Sequence, residues 1–254
     1  MAGRITYPVY IISKGRYQKT LTADIFEESG IDYLIAVEPE EVELYIKKLG
    51  KKRVLVLPFS NLGLGSYPAR NFCWEHAKGL GYKYHWIFDD NILHFRKWIN
   101  RKRQKVNALP ALLYVENHAK NCNADILGFE EYNFGTLPPK KPFKDNCHVY
   151  SAMLIKNDLP YRWRLKYNED IDLCLQVLHN GGSTESCLYY LSNKVATSAK
   201  MKGGNQTELY KGNAPVKNLL KAKMIEAVWP QYAKTVIRFN RHHHLIDWKQ
   251  FKRK

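Results

Sequence analysis

The sequence predicts an α/β fold, a mixed and mostly parallel central sheet flanked by helices. Two observations carry this. Short apolar runs of strand type alternate with helical stretches through the first half of the chain, and that alternation needs crossover connections between parallel strands. Polar segments rich in glycine or acid fall where those apolar runs end, the rim on which open α/β sheets bind their ligands.

Taken in order, YPVYII (7–12) reads as a buried strand ended by the turn SKGR. Residues 20–29 read as a helix with a Thr cap and early acid, stopped by Gly30. DYLIAVEP is a second strand, 40–49 a helix, and KRVLVLP a third strand. The loop FSNLGLGSYPAR, a helix through NFCWEHAKGLG and the strand YHWIF follow. Residues 109–121 are helical, ADILGFEEYNF is a strand and turn, TLPPKKPFKDN a loop, and CHVYSAMLI a strand. A helix runs from about 170 to 178 and closes on glycines, and SCLYYLSN is a further strand. The loop KMKGGNQTE, a lysine-rich helix and a basic, aromatic tail complete the chain. With no internal repeat or low-complexity linker, one domain over 1–235 with a tail at 236–254 is the economical division.

A 254-residue chain that is 45% hydrophobic can bury a sizeable core. Forty Lys and Arg against twenty-four Asp and Glu give a net charge of +16, which favours polyanionic partners. The five cysteines are scattered, with no C-x-x-C pair, and this points to reduced thiols in a cytosol-like compartment. No apolar run reaches the ~18 residues of a membrane span, so a soluble, cytoplasmic protein is expected.

Three constellations could carry chemistry. The first is Asp89-Asp90-Asn91, at the end of a strand that should lie mid-sheet. Two carboxylates and an amide suit a hard divalent cation, Mn²⁺ or Mg²⁺. They equally suit a sugar hydroxyl, or a turn with Asn91 capping a following helix. The second is NEDID, with Glu169, Asp170 and Asp172 crowning a helix N-terminus. Acids are favoured there by the helix dipole alone, and one of them could instead serve as a general base. The third is basic: FRKWINRKRQK (95–105), PPKKPFK (138–144) and the tail from 238 onward, where aromatics interleave with charge. Arg101, Lys102, Arg103, Lys140 and Lys141 are the expected DNA contacts. His242-His243-His244 reads as part of the basic tail. Neither a G-x-G-x-x-G fingerprint nor a P-loop is present.

The motifs YIISKGR, VEPEE, LPFSNLGLGSYPARN, WIFDDN and NEDIDLCLQVL, in this order, resemble the nucleotide-sugar glycosyltransferases of the GT-A fold. They resemble most closely the phage-type enzymes found alongside TET/JBP-like base dioxygenases. The resemblance spans roughly residues 5–200. It implies a Rossmann-like nucleotide-binding half over about 1–95, an acceptor half over 96–235, and sugar transfer from a UDP-sugar to a 5-hydroxymethylpyrimidine in double-stranded DNA. If the protein is viral, the host cytoplasm is its setting.

The resemblance further places Ser13, Arg16 and Glu38 at the nucleobase and ribose, with Arg70 and Asn71 near the ribose and diphosphate. Asp89 would hold the ribose, Asp90 and Asn91 the divalent cation, and Asp170 would be the base, with Glu169 or Asp172 in reserve. Asn91 stands where a third acid is expected, so which of the three residues touches the metal stays open. The place where many GT-A enzymes supply a further histidine ligand has no obvious counterpart. Gly203-Gly204-Asn205, with Lys200 or Lys202, would cover the donor phosphates. A glycan or lipid acceptor, nucleotidyl transfer, and non-catalytic nucleic-acid binding are the competing readings.

Overall fold

The computed structural model describes residues 3–195, 201, 203–204 and 214–251, with the helix at 214–215 described for its backbone only. Strands β1 (Val9–Ile12), β2 (Leu34–Val37), β3 (Val54–Val56) and β4 (Tyr84–Asp89) lie parallel in the order β3-β2-β1-β4. The crossovers are α1 (Leu21–Glu28), α2 (Val42–Leu49) and α3 (Tyr67–Gly79). Tyr84 to Phe88 of β4 are all buried, as expected of a strand covered on both faces.

Beyond β4 the sheet becomes mixed. The order continues β9 (Ala152–Lys156), β7 (Ile126–Glu131), β10 (Thr184–Lys194), β5 (Ile92–Ile99) and β6 (Lys102–Val106), with β8 (Phe143–Asp145) also paired to β10. The β4·β9, β9·β7, β10·β5 and β5·β6 pairs are antiparallel, while β7·β10 is parallel. Parallel character is therefore concentrated in the first four strands. Helices α4 (Ala108–Asn121) and α5 (Glu169–His179) complete the layers.

Two apolar clusters sandwich the sheet. One gathers Phe26, Ile35, Trp86, Phe88, Leu112 and Phe129, and the other Tyr10, Trp74, Ile87, Met153, Trp163 and Cys174. Alternate β4 residues feed opposite clusters, which is the period-2 pattern of a two-sided strand.

Several boundaries differ from the sequence expectation. The basic stretch 95–105 belongs to the β5–β6 hairpin, turned at Asn100 and Arg101, both in the left-handed region (φ 49° and 61°). The element after Asn91 is thus a strand, and Asn91 caps no helix. Helix α3 starts at Tyr67, with Pro68 in its first turn, so Arg70 lies in the helix and not in the loop before it. Strand β9 begins at Ala152, and buried Cys147 and Val149 precede it in irregular backbone.

The tail is also part of the fold. Helix α6 (Ala214–Val228) leads into an antiparallel hairpin of β11 (Ala233–Arg238) and β12 (Arg241–Ile246), then a 3₁₀ turn, Trp248–Phe251. Ile246, Trp248 and Phe251 pack against a third cluster of Ile171, Leu175, Ile225 and Trp229. The division expected at 235/236 falls inside β11, and the one at 95/96 falls inside β5.

Candidate active site

Strands β1 and β4 are parallel neighbours with Ile12 in register with Asp89, so their carboxyl ends open side by side. The chain leaves β1 toward β2, while β9 flanks β4 on the other side. Such a divergence leaves a crevice at the strand ends. A cleft of about 290 Å³ lies there, lined by Ser13, Lys14, Arg16, Glu38, Arg70, Asp89, Asp90, Asn91, Glu169, Asp170, Lys194 and Lys221, among others.

The Asp-Asp-Asn turn is held from below. Thr22 Oγ1 donates to Asp89 O (2.6 Å) and accepts from Ile92 N (3.0 Å), clamping both ends of the turn to α1. Its three side chains do different things. Asp90 is 4% exposed; one oxygen pairs with Arg16 Nη1 and the other accepts from Ser13 Oγ at 2.7 Å. Ser13 Oγ also lies 2.7 Å from Tyr45 Oη. Burial pushes the Asp90 carboxyl upward, with Arg16 and Ser13 pulling against it. Asn91 Nδ2 donates to Val195 O (3.1 Å) and Val195 N donates back to Asn91 O (2.9 Å), closing the end of β10 over the turn. Asn91 Oδ1 is buried with no hydrogen-bond partner among the described residues.

Asp89 faces cations. Arg70 Nη2 donates to its Oδ1 at 2.5 Å, and Lys194 Nζ lies 4.0 Å from its Oδ2. Arg70 is 3% exposed, stacks over Trp163, and pairs through Nε with Glu169 at 3.5 Å. Burial alone would depress the guanidinium, but Asp89 and Glu169 more than offset it and keep it charged. Its Nη1 is buried without a hydrogen-bond partner among the described residues, a donor left over for a ligand oxygen. Lys194 also pairs with Glu131 at 2.9 Å and donates to Ser151 Oγ. Asp89 and Glu131 hold Lys194 charged despite its burial.

The three acids of NEDID separate by direction. Glu169 accepts from Ser66 Oγ (2.6 Å) and faces Arg70; burial raises its carboxyl. Asp170 lines the cleft, with Oδ1 on Ile171 N (2.9 Å) and Oδ2 3.0 Å from His148 Nε2. Burial would raise it, but His148 and then Lys194 overcome that and hold it well below the usual carboxylate range. His148 itself packs at a tilt against Tyr150 and stacks on Trp248. Asp172 is fully buried and absent from the cleft wall. It accepts from Arg164, Gln176 (2.8 Å) and Trp229 Nε1 (2.8 Å), a set of bonds that joins α5 to the segments on either side.

Of the remaining expected residues, Glu38 lines the cleft and binds Lys14 Nζ and Asn61 N. Asn71 lies outside it, exchanging two hydrogen bonds with the backbone of Trp163 (2.8 and 3.0 Å). Arg101, Lys102, Lys140 and Lys141 are exposed, Lys141 pairing with Asp145. Arg103 donates to Tyr132 O and Gly135 O and stacks on Tyr132, so it braces a loop. Gly203 and Gly204 sit on the β1 exit, with Gly204 N donating to Lys14 O (2.6 Å). A Cβ at Gly203 would come 2.3 Å from Gly15 O, and its φ of 82° suits glycine. Asn205, Lys200 and Lys202 lie outside the described residues.

Sequence reasoning missed Lys14, Thr22, His148, Ser151, Glu131, Lys194 and Lys221. Most sit singly in unremarkable strands or helices, and only the sheet order brings them to the rim.

The oxygen donors at the turn fit a divalent cation in part. The Asp89 carboxylate lines the cleft, and Asn91, whose Oδ1 has no hydrogen-bond partner among the described residues, is in the same wall; both offer hard oxygen ligands of the kind Mg²⁺ and Mn²⁺ take. Asp90 has both oxygens engaged. His118, Cys122 and Glu185 also bring ligand atoms within 4.8 Å of one another. That group lies nine residues along β10 from Lys194, at the opposite edge, and its sulfur and nitrogen donors suit a softer ion.

No helix among the described residues is long and apolar enough to cross a membrane. The family model described as "TET-Associated Glycosyltransferase" matches residues 7–204. No curated protein matches the chain in sequence. Among solved structures, a protein from Desulfovibrio desulfuricans G20 assigned as a nucleotide-diphospho-sugar transferase overlaps with a TM-score of 0.41 at 11% identity, over 80% of this chain and 94% of that one.

Proposed function

The chain belongs to the TET-associated glycosyltransferase family, and on that premise we propose that it moves a sugar from a UDP-sugar to the hydroxyl of a 5-hydroxymethylpyrimidine in double-stranded DNA. The observation that carries the reading is the shared cleft. A diphosphate-compatible wall of Arg70, Lys194, Asp89 and Asn91 stands beside Asp170, an ionised carboxylate on a helix N-terminus.

Ser13, Lys14, Arg16 and Glu38 take the nucleobase and ribose end of the donor. Arg70 and Lys194 face the diphosphate, and their charge stabilises the leaving nucleoside diphosphate as the anomeric C–O bond breaks. Asp89 and Asn91 would hold a divalent cation, Mn²⁺ or Mg²⁺, which when bound neutralises the same developing charge. Asp90 acts one step back, fixing Arg16 and Ser13. Asp170 accepts the proton of the acceptor hydroxyl as that oxygen bonds to the anomeric carbon. Its depressed pKa makes it a weak base in the ground state, yet always ionised at neutral pH. Proton transfer becomes favourable as the attacking oxygen acidifies along the reaction.

The acceptor assignment draws on the net charge of +16 and on the exposed lysines and arginines of the β5–β6 hairpin and the 140–144 loop. Five unpaired cysteines accord with a cytoplasmic setting, the host's if the protein is viral. The test is incubation of duplex oligonucleotides carrying 5-hydroxymethylcytosine or 5-hydroxymethyluracil with nucleotide-sugars and Mn²⁺, read by mass spectrometry. A hexose mass gain that disappears in Asp170→Asn is expected. Donor hydrolysis with no DNA product under any nucleotide-sugar would overturn the acceptor and leave a glycan or lipid in its place.

A further inference from the structure

We propose that the tip of the β11–β12 hairpin is a wedge that inserts Phe239 into the base stack of duplex DNA and holds out the nucleotide offered to the cleft. This rests on the DNA-acceptor reading above. The two residues of the turn, Phe239 and Asn240, both adopt left-handed backbone (φ 51° and 57°) between the paired Arg238 and Arg241. This is the geometry that two-residue hairpins favour, and it is ordinarily filled by Asn-Gly or Asp-Gly. A bulky aromatic at a positive φ is strained. Strain of that kind persists where something other than local stability selects the residue.

Packing does not supply the reason. Phe239 is 87% exposed, its ring meeting only the edge of His243 at 6.4 Å among the described ring contacts, and Ile237 beside it is 70% exposed. The fold thus places two large apolar side chains in water at the end of a narrow ribbon. Arg238 and Arg241 flank the turn and are both exposed, and Lys234 is exposed further down β11. An apolar point within a basic collar is the chemistry that kinks and unstacks a duplex: the cations neutralise phosphates while the ring replaces a base neighbour.

The hairpin is also rooted at the reaction centre. His244 on β12 lies close enough to Asp170, His148 and Lys221 for their charges to bear on its titration. Trp248, just past β12, stacks parallel to His148 with ring centres 5.9 Å apart. Three strand steps, Arg241 to His244, separate the turn from His244, a reach on the order of 10 Å at ~3.3 Å per residue. A base inside a duplex cannot approach Asp170 until it leaves the stack. A rigid ribbon anchored beside Asp170 is suited to fill the gap that it leaves.

The test uses full-length protein and a duplex carrying 2-aminopurine next to a 5-hydroxymethylcytosine. Wild type is expected to raise the 2-aminopurine fluorescence, with Phe239→Ala losing most of the rise and Phe239→Trp keeping it. Because the side chain is exposed, the Ala variant should melt like wild type. In transfer assays the duplex-to-single-strand rate ratio should fall roughly tenfold or more in Phe239→Ala, the scale of one lost base–aromatic stack. An unchanged ratio, or no fluorescence rise with wild type, overturns the wedge. Were no sugar transferred to any DNA, the acceptor reading would fail. The fluorescence comparison would still decide the wedge by itself.

Discussion

Arg70 Nη2 stands 2.5 Å from Asp89 Oδ1, and through Nε the same guanidinium reaches Glu169. One buried arginine thereby ties the end of β4 to the start of α5 across the cleft wall. Arg70→Ala would remove the guanidinium from both Asp89 and Glu169, with Lys194 still 4.0 Å from Asp89 Oδ2. A loss of about 3–5 kcal/mol in urea unfolding is expected, the usual cost of orphaning a buried ionic partner. Arg70→Lys should recover part of that stability but little transfer, since it keeps a charge and loses the planar fork.

Asp170 and Asp172 are two residues apart and predicted to fail differently. Asp170→Asn should lower kcat by about 10²–10⁴ while a nucleoside diphosphate still raises the melting temperature as in wild type. Asp172→Asn weakens the bonds to Arg164, Gln176 and Trp229. It should cost about 1–3 kcal/mol of stability with near-normal turnover per folded molecule. Equal turnover losses in the two variants would contradict the separation.

The Asp-Asp-Asn turn yields a metal experiment. If Asp89 and Asn91 hold the cation, Asp89→Asn abolishes the Mn²⁺-dependent part of the thermal shift with UDP. Asp90→Asn should retain that part and weaken nucleotide binding instead, through the displaced Arg16. The reverse pattern would return the metal to Asp90.

Two titrations follow from the surroundings of buried groups. His85 is fully buried, its Nδ1 2.6 Å from Asn157 Oδ1, and burial lowers its pKa to about 4. Its folded pKa lies below the unfolded value near 6.5, so the unfolded chain binds the extra proton first. Stability present above pH ~6.5 is lost as pH falls toward about 4, by about 3 kcal/mol. His85→Gln should flatten that stretch of the stability–pH curve.

Asp170 follows the same sign at lower pH: a depressed carboxylate stabilises the fold above about pH 4 and loses that contribution on further acidification. Because His148 is the main depressing partner, His148→Asn should move the acid limb of the kcat profile upward. An unmoved limb would remove His148 from that role.

The alternation of strand and helix, the buried β4 run and the two acid clusters were legible because each is local. An uninterrupted buried run marks Tyr84–Phe88, and Gly30 and Pro39 punctuate the elements on either side of β2. The β5–β6 hairpin was not legible, since Asn100-Arg101 is not a usual hairpin turn pair and its charges read as a nucleic-acid-binding patch. Lys194 and His148 were equally hidden. Each is one polar residue at the end of an apolar run, and only the pairing of β10 with β7 and β5 carries Lys194 to Glu131 and Asp89.

By itself, the sequence determined which segments up to β4 become strands and helices, and that carboxylates would crowd one rim of the sheet. It also determined that a strongly basic surface would face outward. These properties depend on neighbours a few residues away and on net composition. Only the tertiary structure decided what each carboxylate does. Asp90 is locked by Arg16 and Ser13, Asp172 is buried under Trp229, and Asp89 and Asp170 are left to line the cleft. The physical reason is that a charge takes its role from the groups packed around it, and those groups come from strands and helices far apart in the chain.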